Sequence, residues 1–168
     1  MSDHRLDIDE YYLAIAIIAA SRGTCARRKV GCVLVDDSKR VVSIGYNGVA
    51  PGELHCSRFP CEGATFPSGE GLDACRAAHA EQSALIACAD IRRVATCYTT
   101  VSPCFGCVKL LLQTSCTRAV FLGDYGDERA RRAWANRGRS WETMPPSPFH
   151  RQLLDSVDLG RTFPVPPA

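Results

Sequence analysis

Three potential zinc ligands lie in two segments of the chain that any fold must bring together. The first segment, CRAAHAEQSAL, carries His79, and the second, SPCFGC, carries Cys104 and Cys107. One imidazole and two thiolates form a ligand set that catalytic zinc sites use, because such sites keep a fourth position open. A Cys-x-x-Cys pair at a helix start places both sulfurs on one side of a turn, where the positive helix end favours thiolates. The two segments therefore predict a catalytic zinc centre.

Glu81 follows the predicted ligand His79 by two residues. This spacing is too short for Glu81 to share the metal comfortably, but its carboxylate can reach a water molecule that zinc activates. We interpret Glu81 as the general acid/base of the site. A Cys-x-x-Cys pair alone is also typical of zinc ribbons and redox pairs, and a His-x-Glu pair occurs by chance on helices. The combination, with Pro103 directly before the cysteine pair, favours the catalytic interpretation.

Length, charge and hydropathy limit the class of protein. The 168 residues suffice for one domain with a core, and 46% of them are hydrophobic. The longest apolar run, residues 13–20, is too short to span a membrane, and the start MSDHRLDID is not typical of a signal peptide. The net charge of +2 leaves no strongly basic surface for nucleic acid. We therefore expect a small-molecule substrate, no membrane partner and no nucleic-acid partner.

Ten cysteines are many for a chain of this size. Disulfides in a secreted protein could use them. Because the chain shows no signal sequence and places Cys-x-x-Cys near His-x-Glu, metal binding in a reducing cytoplasm is the better interpretation.

Hydrophobic periodicity and turn signals predict an α/β sandwich with helices on both faces of a sheet. Both metal-binding segments are expected at helix starts next to strand ends, where such folds place ligands. The predicted elements, in order, are a helix at 8–22 capped by Asp7 or Asp9, strands at 30–35 and 41–46, a helix at 76–89, a strand at 95–101, a helix at 105–113, a strand at 118–122, and helices at 127–137 and near 149–155.

We expect residues 1–168 to form a single domain with two irregular parts. The first is a Cys-rich insertion at 48–75, whose length and lack of period indicate a functional loop that its cysteines hold in place. The second is a Pro-rich tail from about residue 145, whose last residues are expected to be mobile.

The pattern His-x-Glu…Pro-Cys-x-x-Cys is the known signature of zinc deaminases that act on nucleobases. Together with TCARRKVGCVLV at 24–35 and SIGYNGVAPGELHC at 43–56, it makes the chain from about Tyr11 to Arg132 resemble the deoxycytidylate (dCMP) deaminases of the cytidine deaminase superfamily. The resemblance implies a three-layer α/β/α sandwich around a five-stranded mixed sheet. It also implies hydrolysis of dCMP to dUMP and ammonia, which supplies dUMP for thymidylate synthesis.

The same resemblance assigns roles to individual residues. It implies catalytic zinc on His79, Cys104 and Cys107, with Glu81 as the acid/base. The substrate-binding residues that it implies are Asn47, the backbone N–H of Ala80, Ser102, and Tyr125 in GDYGDE. For Asn47, turn chemistry alone favours a structural role in an Asn-Gly turn, whereas the resemblance implies contact with the nucleotide. Enzymes of this kind are often hexamers that dCTP activates, with Mg²⁺ accompanying the nucleotide, and that dTTP inhibits.

Some members of this family carry a second, structural zinc. Cys25 and Cys56 fall where two of its ligands would lie, and Cys61 and Cys75 could complete a set of four, with His55 as a substitute. A closed site of four cysteines would be structural. The alternative is that these residues are small buried hydrophobes, which is our interpretation of Cys32, Cys88, Cys97 and Cys116.

Two features leave the substrate open. Ser83 stands where the family usually has Asn, and the basic run Arg27, Arg28 and Lys29 could bind phosphate or simply be solvated. The alternatives are a deaminase of CMP, a modified dCMP, a nucleoside or an antibiotic precursor, and a zinc module that binds nucleic acid without catalysis. Near-neutral charge and Glu81 argue against the last of these.

Overall fold

The computed structural model describes residues 5–67 and 70–159. Within this part, the chain forms five α-helices and five β-strands. Their bounds are α1 Ile8–Ala20, β1 Gly31–Val35, β2 Val41–Tyr46, α2 Ala80–Ala87, β3 Thr96–Val101, α3 Phe105–Leu111, β4 Arg118–Gly123, α4 Glu128–Ala135, β5 Ser140–Thr143 and α5 Pro148–Ser156. Across these described residues, none of the helices has the length and apolar character that crossing a membrane requires.

The strands form one mixed sheet in the order β2-β1-β3-β4-β5. β1 runs antiparallel to β2 and to β3, whereas β3, β4 and β5 are parallel. This arrangement confirms the five-stranded mixed sheet. The local sequence pattern missed β5, because it has only four residues, lies at the edge and is half-exposed.

Helices cover both faces of the sheet, which confirms the three-layer sandwich. On one face, α1 packs on Val33, Val35 and Tyr98, and α5 lies beside α1. On the other face, α2, α3 and α4 enclose a core that includes Leu34 and Trp134. The metal-binding segments both belong to this second face.

The helix that follows His79 starts later than the sequence predicted. Residues 76–79 are not helical, because Ala78 pairs with Gly48: each backbone N–H donates to the carbonyl of the other residue, at 2.9 and 3.1 Å. His79 therefore has extended backbone angles and caps α2. The described residues of the insertion at 48–75 are irregular apart from short 3-10 turns at Glu62–Thr65 and Leu72–Ala74. The prediction of mobility for the last residues falls on 160–168, outside the described residues.

Gly45 brings α2 against the backbone of β2. A Cβ atom at this position would lie 2.3 Å from the Ala80 carbonyl oxygen and 2.4 Å from the Ala84 nitrogen. Two residues earlier, the Ser43 hydroxyl donates a hydrogen bond of 2.7 Å to the Ala84 carbonyl. The start of α2, which carries the residues around His79, is thus seated directly on the sheet.

An ion-pair network joins α1 to the sheet. The Arg118 guanidinium at the start of β4 donates to both carboxylate oxygens of Asp9, at 2.8 and 2.7 Å, and also to Glu142 on β5. The Tyr98 hydroxyl donates to the same Asp9 carboxylate at 2.6 Å. The Asp9 and Arg118 side chains are 19% and 27% exposed, so water screens this network only in part.

Replacing Arg118 with Met should lower the free energy of unfolding by about 2 kcal/mol at pH 7, since it removes hydrogen bonds between charged groups. Arg118 holds the pKa of Asp9 below its ordinary value of 3.8. A depressed carboxyl pKa stabilises the folded state above about pH 4, and this contribution disappears as the pH falls through the folded pKa. Urea unfolding of the native protein and the variant should therefore show a difference that shrinks below about pH 4.

The matched control is Lys29→Met, which breaks an ion pair to Asp158, a side chain that is 81% exposed. This change should cost at most about 1 kcal/mol. A difference between native protein and Arg118→Met that stayed constant down to pH 3 would contradict the assignment to Asp9.

Candidate active site

The three predicted zinc ligands meet on one face of the sheet, beside the carboxyl end of β3. His79 caps α2 and Cys104 caps α3, while Cys107 lies in the first turn of α3. The His79 Nδ1 atom is 3.4 Å from the Sγ atoms of both Cys104 and Cys107. A hydrogen bond of 2.8 Å from the His79 N–H to the Gln82 side-chain oxygen fixes the backbone there.

The donor set fits a zinc ion. All three ligand atoms lie within 4.8 Å of one another. Ligands at zinc–nitrogen and zinc–sulfur distances around a tetrahedral ion are roughly 3.5 Å apart, close to the spacing of these atoms. Three protein ligands leave a fourth position for water or substrate, as in catalytic zinc sites.

In the metal-free triad, Cys104 is favoured as the thiolate, whereas His79 and Cys107 hold their protons. A hydrogen bond from the Cys107 thiol lowers the pKa of Cys104 to about 4, and His79 contributes in the same direction. The hydrogen bond with the Cys104 sulfur raises the pKa of His79 to about 9. Zinc takes both cysteines as thiolates and histidine as neutral imidazole, so its binding releases protons from this cluster.

Glu81 lies in the same cavity, in the first turn of α2, and is 4% exposed. Burial raises its pKa, and the neighbouring His79 opposes that effect. A buried carboxyl group beside a metal site is placed to exchange protons with a metal-bound water. The acid/base role of Glu81 stays a prediction.

The cavity brings together most of the predicted site residues. Ala80 is the first residue of α2, so helix geometry leaves its N–H without an acceptor inside the helix. The Arg28 guanidinium lies 5.3 Å from the centre of the Tyr125 ring. The lining includes His79, Ala80, Glu81, Ser102, Cys104, Asn47, Tyr125, Arg27 and Arg28.

Asn47 has a structural role within this wall. Its side-chain oxygen accepts from the Val30 N–H at 2.8 Å, and its amide donates to the Arg28 carbonyl at 2.8 Å. Asn47 thus clamps the segment that precedes β1 and orients Arg28 beside the cavity. One amide hydrogen remains in addition to the one that this clamp uses.

The three residues of the basic run point in different directions. Arg27 donates to the carbonyls of Gly63 and Glu70, at 2.6 and 3.1 Å, and so holds the Cys-rich insertion. Arg28 stands at the Tyr125 side of the cavity. Lys29 pairs with Asp158 at 3.0 Å, and the described residues that line the cavity do not include it.

The four cysteines predicted for a second site form a chain of neighbouring pairs; among the described residues, only the His79 triad brings three ligand atoms within 4.8 Å of one another. The Cys56 and Cys61 sulfurs are 3.3 Å apart, and those of Cys61 and Cys75 are 4.0 Å apart. A hydrogen bond from Cys75 lowers the pKa of Cys25 to about 5. The cluster joins the insertion to the segment before β1.

The other four cysteines occupy the places predicted for them. Cys32, Cys97 and Cys116 are fully buried, and Cys88 packs at the edge of the same core. All ten cysteines, each within the described part of the chain, are free of disulfides.

Three residues with a part in the site escaped the sequence reasoning. Gln82 fixes the backbone of His79, and Leu72 lines the cavity from the irregular insertion. Asp127 caps α4 and also accepts from the Phe105 N–H, beside the cysteine pair. An aspartate before a helix is a recognisable capping signal, but no sequence signal points from Asp127 to α3.

An α/β/α sandwich with a His-Cys-Cys triad and a buried glutamate defines a zinc-dependent hydrolytic enzyme of the deaminase class. Residues 6–123 match the family model for the cytidine and deoxycytidylate deaminase zinc-binding region. The chain belongs to this family of zinc-dependent deaminases.

Named relatives agree with this assignment. The deoxycytidylate deaminase of Mycobacterium phage D29 is 40% identical over 123 residues, which cover 70% of this chain and 95% of the phage enzyme. The deoxycytidylate deaminase of Saccharomyces cerevisiae is 33% identical over 133 residues, which cover 77% of this chain and 42% of the yeast enzyme.

The fold also matches a solved structure. The crystal structure of the dCMP deaminase of cyanophage S-TIM5 in complex with dCMP and dUMP superposes with a TM-score of 0.62 at 23% identity. The superposition covers 85% of this chain and 99% of the cyanophage chain. This likeness places the protein in the same fold.

Proposed function

We propose that this protein hydrolyses dCMP to dUMP and ammonia and so supplies dUMP for thymidylate synthesis. The observation that carries the proposal is the buried Glu81 beside the His79–Cys104–Cys107 triad, in a cavity that Asn47 also lines. The names of the phage and yeast relatives support dCMP as the substrate.

Each protein group has a defined task in this reaction. His79, Cys104 and Cys107 would hold the zinc ion, which would supply the Lewis acid that makes water nucleophilic at neutral pH. Glu81 accepts a proton from the attacking water and delivers it to the ring nitrogen N3 of cytosine. The water oxygen bonds to C4, the bond from C4 to the amino nitrogen breaks, and Glu81 passes the second water proton to the departing ammonia. The Ala80 N–H donates to the pyrimidine carbonyl.

Substrate recognition falls to the wall formed by Asn47, Arg28 and Tyr125. The Asn47 amide hydrogen that remains can donate to the sugar or the base. Arg28 is the member of the basic run that we propose for the 5′-phosphate, because a guanidinium at the cavity wall can bind phosphate through two hydrogen bonds. Lys29 pairs with Asp158 and is not among the described residues that line the cavity, so this proposal does not include it. Arg27 also lines the cavity, and its proposed part is to hold the insertion through the Gly63 and Glu70 carbonyls.

The test is ammonia release from dCMP, CMP, deoxycytidine and cytosine, with and without dCTP plus Mg²⁺. We expect dCMP to be the preferred substrate.

Arg28→Ala should raise KM for dCMP and leave the weak turnover of deoxycytidine unchanged. Preferred turnover of CMP or of a nucleoside would contradict dCMP as substrate and direct attention to Ser83. If the zinc-loaded protein released ammonia from none of these substrates, the proposal that it is a deaminase would be wrong.

We also propose that Cys25, Cys56, Cys61 and Cys75 hold a second, structural zinc. Cys56 and Cys61 are buried, and their sulfurs lie within reach of one ion. Four thiolates close the coordination shell, so the ion would order the insertion and would not take part in catalysis.

Zinc content measured by elemental analysis should be about two per chain and should fall to about one in Cys56→Ser. Cys88→Ser is the matched control, since Cys88 is a partly buried cysteine outside both clusters, and it should leave the content unchanged. Equal zinc content in the native protein and in Cys56→Ser would contradict the proposal of a second zinc site.

We infer that the enzyme works in the reducing cytoplasm as a homo-hexamer that dCTP with Mg²⁺ activates and dTTP inhibits. The use of Cys104 and Cys107 in a metal-binding triad supports a reducing compartment, because thiolate ligands must stay reduced. Exposed apolar side chains on α1 and on the edge strand β2 support self-association; they include Tyr11, Ile18, Ile44 and Tyr46. Light scattering with and without dCTP would show the hexamer, and a monomer under both conditions would contradict it.

A further inference from the structure

The loop of residues 124–127, between β4 and α4, is tied to the segment that carries Cys104. The Ser102 hydroxyl donates to the Asp124 carboxylate at 2.9 Å and accepts from the Tyr125 N–H at 2.6 Å. Asp124 also accepts from the Gly126 N–H at 3.0 Å, which tightens the turn. Ser102 lies two residues before Cys104, so this contact holds one end of the metal-binding segment.

A second tie runs through Asp127. One carboxylate oxygen accepts from the Phe105 N–H at 3.0 Å. The other accepts from the N–H groups of Arg129 and Ala130, at 3.2 and 3.4 Å, and so caps α4. One carboxylate therefore bridges the first turns of two helices.

The Phe105 N–H that Asp127 binds lies between the two cysteine ligands in the sequence. It belongs to the peptide unit that directly follows Cys104, and it lies two residues before Cys107. The orientation of this peptide fixes the ψ angle of Cys104, the extended residue that caps α3 and carries one of the ligand sulfurs. Burial raises the pKa of Asp127, but hydrogen bonds from Arg129 and from the Phe105 N–H outweigh it, so the carboxylate is ionised at neutral pH.

We propose that Asp127 is a positioning residue for the zinc ligands Cys104 and Cys107, in addition to capping α4. This inference rests on the zinc site of the proposed function. A hydrogen bond from a peptide N–H to an ionised acceptor is stronger than one between neutral groups. Partners that orient metal ligands from the next layer out affect metal affinity by about 10- to 100-fold. Asp127 also links the ligand segment to the loop that presents Tyr125 to the cavity.

The variant that separates the two roles is Asp127→Asn. Its single side-chain oxygen can still cap α4, because Asn is as good a cap as Asp. Its amide then turns a donor toward the Phe105 N–H, which loses its acceptor. We expect zinc release to a chelator to be about 10- to 100-fold faster than in the native protein, and the visible absorption spectrum of the cobalt-substituted protein to shift.

Two further variants keep the test decisive. Asp127→Ser also retains a capping oxygen but is too short to reach both helices, so it should behave like Asp127→Asn. Ser147→Ala removes the equivalent cap of α5, where the Ser147 hydroxyl accepts from the His150 N–H. This control should lower the thermal midpoint and leave zinc release and the cobalt spectrum unchanged.

Two outcomes would contradict the positioning role of Asp127, and the second would also contradict the proposed function. If the native protein binds zinc and both Asp127 variants release it at the native rate with the native cobalt spectrum, only the positioning role fails. If the native protein takes up no zinc at the triad, the proposed function fails as well.

Discussion

Glu81→Gln should reduce kcat by about 10²- to 10⁴-fold, the contribution that a positioned general acid/base makes, while zinc content stays at the native level. Glutamine keeps the size of the side chain but can neither accept the proton of the attacking water nor return it to the ring nitrogen and the leaving group. Because Glu81 is not one of the three clustered metal-binding residues, its replacement should not release the ion. The measurements are ammonia release at saturating dCMP and elemental analysis of zinc.

Glu128→Gln is the matched control for this prediction. Glu128 is an exposed carboxylate in the first turn of α4, so its loss should leave kcat within about twofold of the native value. Near-native turnover by Glu81→Gln would rule out the acid/base role. A loss of zinc together with turnover would instead make Glu81 a residue that supports the metal site.

Gly45→Ala should reduce kcat/KM by about 10²-fold, although Gly45 does not line the cavity. A methyl group at this position meets backbone atoms of α2 at 2.3 and 2.4 Å, and no side-chain rotation can relieve that contact. Helix α2 must move away from the sheet, and it carries Glu81 and the capping residue His79. A displacement of about 1 Å at a catalytic group costs about 10²-fold in rate, and such overpacking costs about 1–3 kcal/mol of stability.

Steady-state kinetics and urea unfolding of the same preparation would test both parts. Ser43→Ala, on the same strand, is the control, because it removes the hydrogen bond to the Ala84 carbonyl without adding an atom. It should cost about 1 kcal/mol of stability and leave kcat/KM close to native. Native activity in Gly45→Ala would show that the seating of α2 on β2 does not set the position of Glu81.

Local patterns in the chain were sufficient for much of the fold. The apolar helix at 8–22 corresponds to α1 at Ile8–Ala20, and Asp7 caps it as one of the two predicted caps. The strands predicted at 30–35 and 41–46 pair as the hairpin of β1 and β2. These elements were predictable because a helix or strand that buries one face must repeat apolar residues at its own period. Strand β5 has too few residues to show such a period, and only its pairing with β4 forms it.

The sequence by itself determined the chemistry of the site. The ligand types, their spacing and the adjacent glutamate can all be identified within short segments of the sequence. Few kinds of active site need all three features together. The sequence did not determine the conformation of the segment before α2, where helix propensity predicted a helix from residue 76. The pairing of Ala78 with Gly48, 30 residues away in the chain, decided that conformation.

Only the tertiary structure decided which partners the other polar side chains bind. It directs Lys29 to Asp158 and Arg28 to the cavity, and it makes Asn47 a clamp on the segment before β1. It also turns the cap of α4 into a contact with the cysteine pair. A side chain with several hydrogen-bonding groups can satisfy them with many partners, and only the packing of distant segments determines which partners lie within reach.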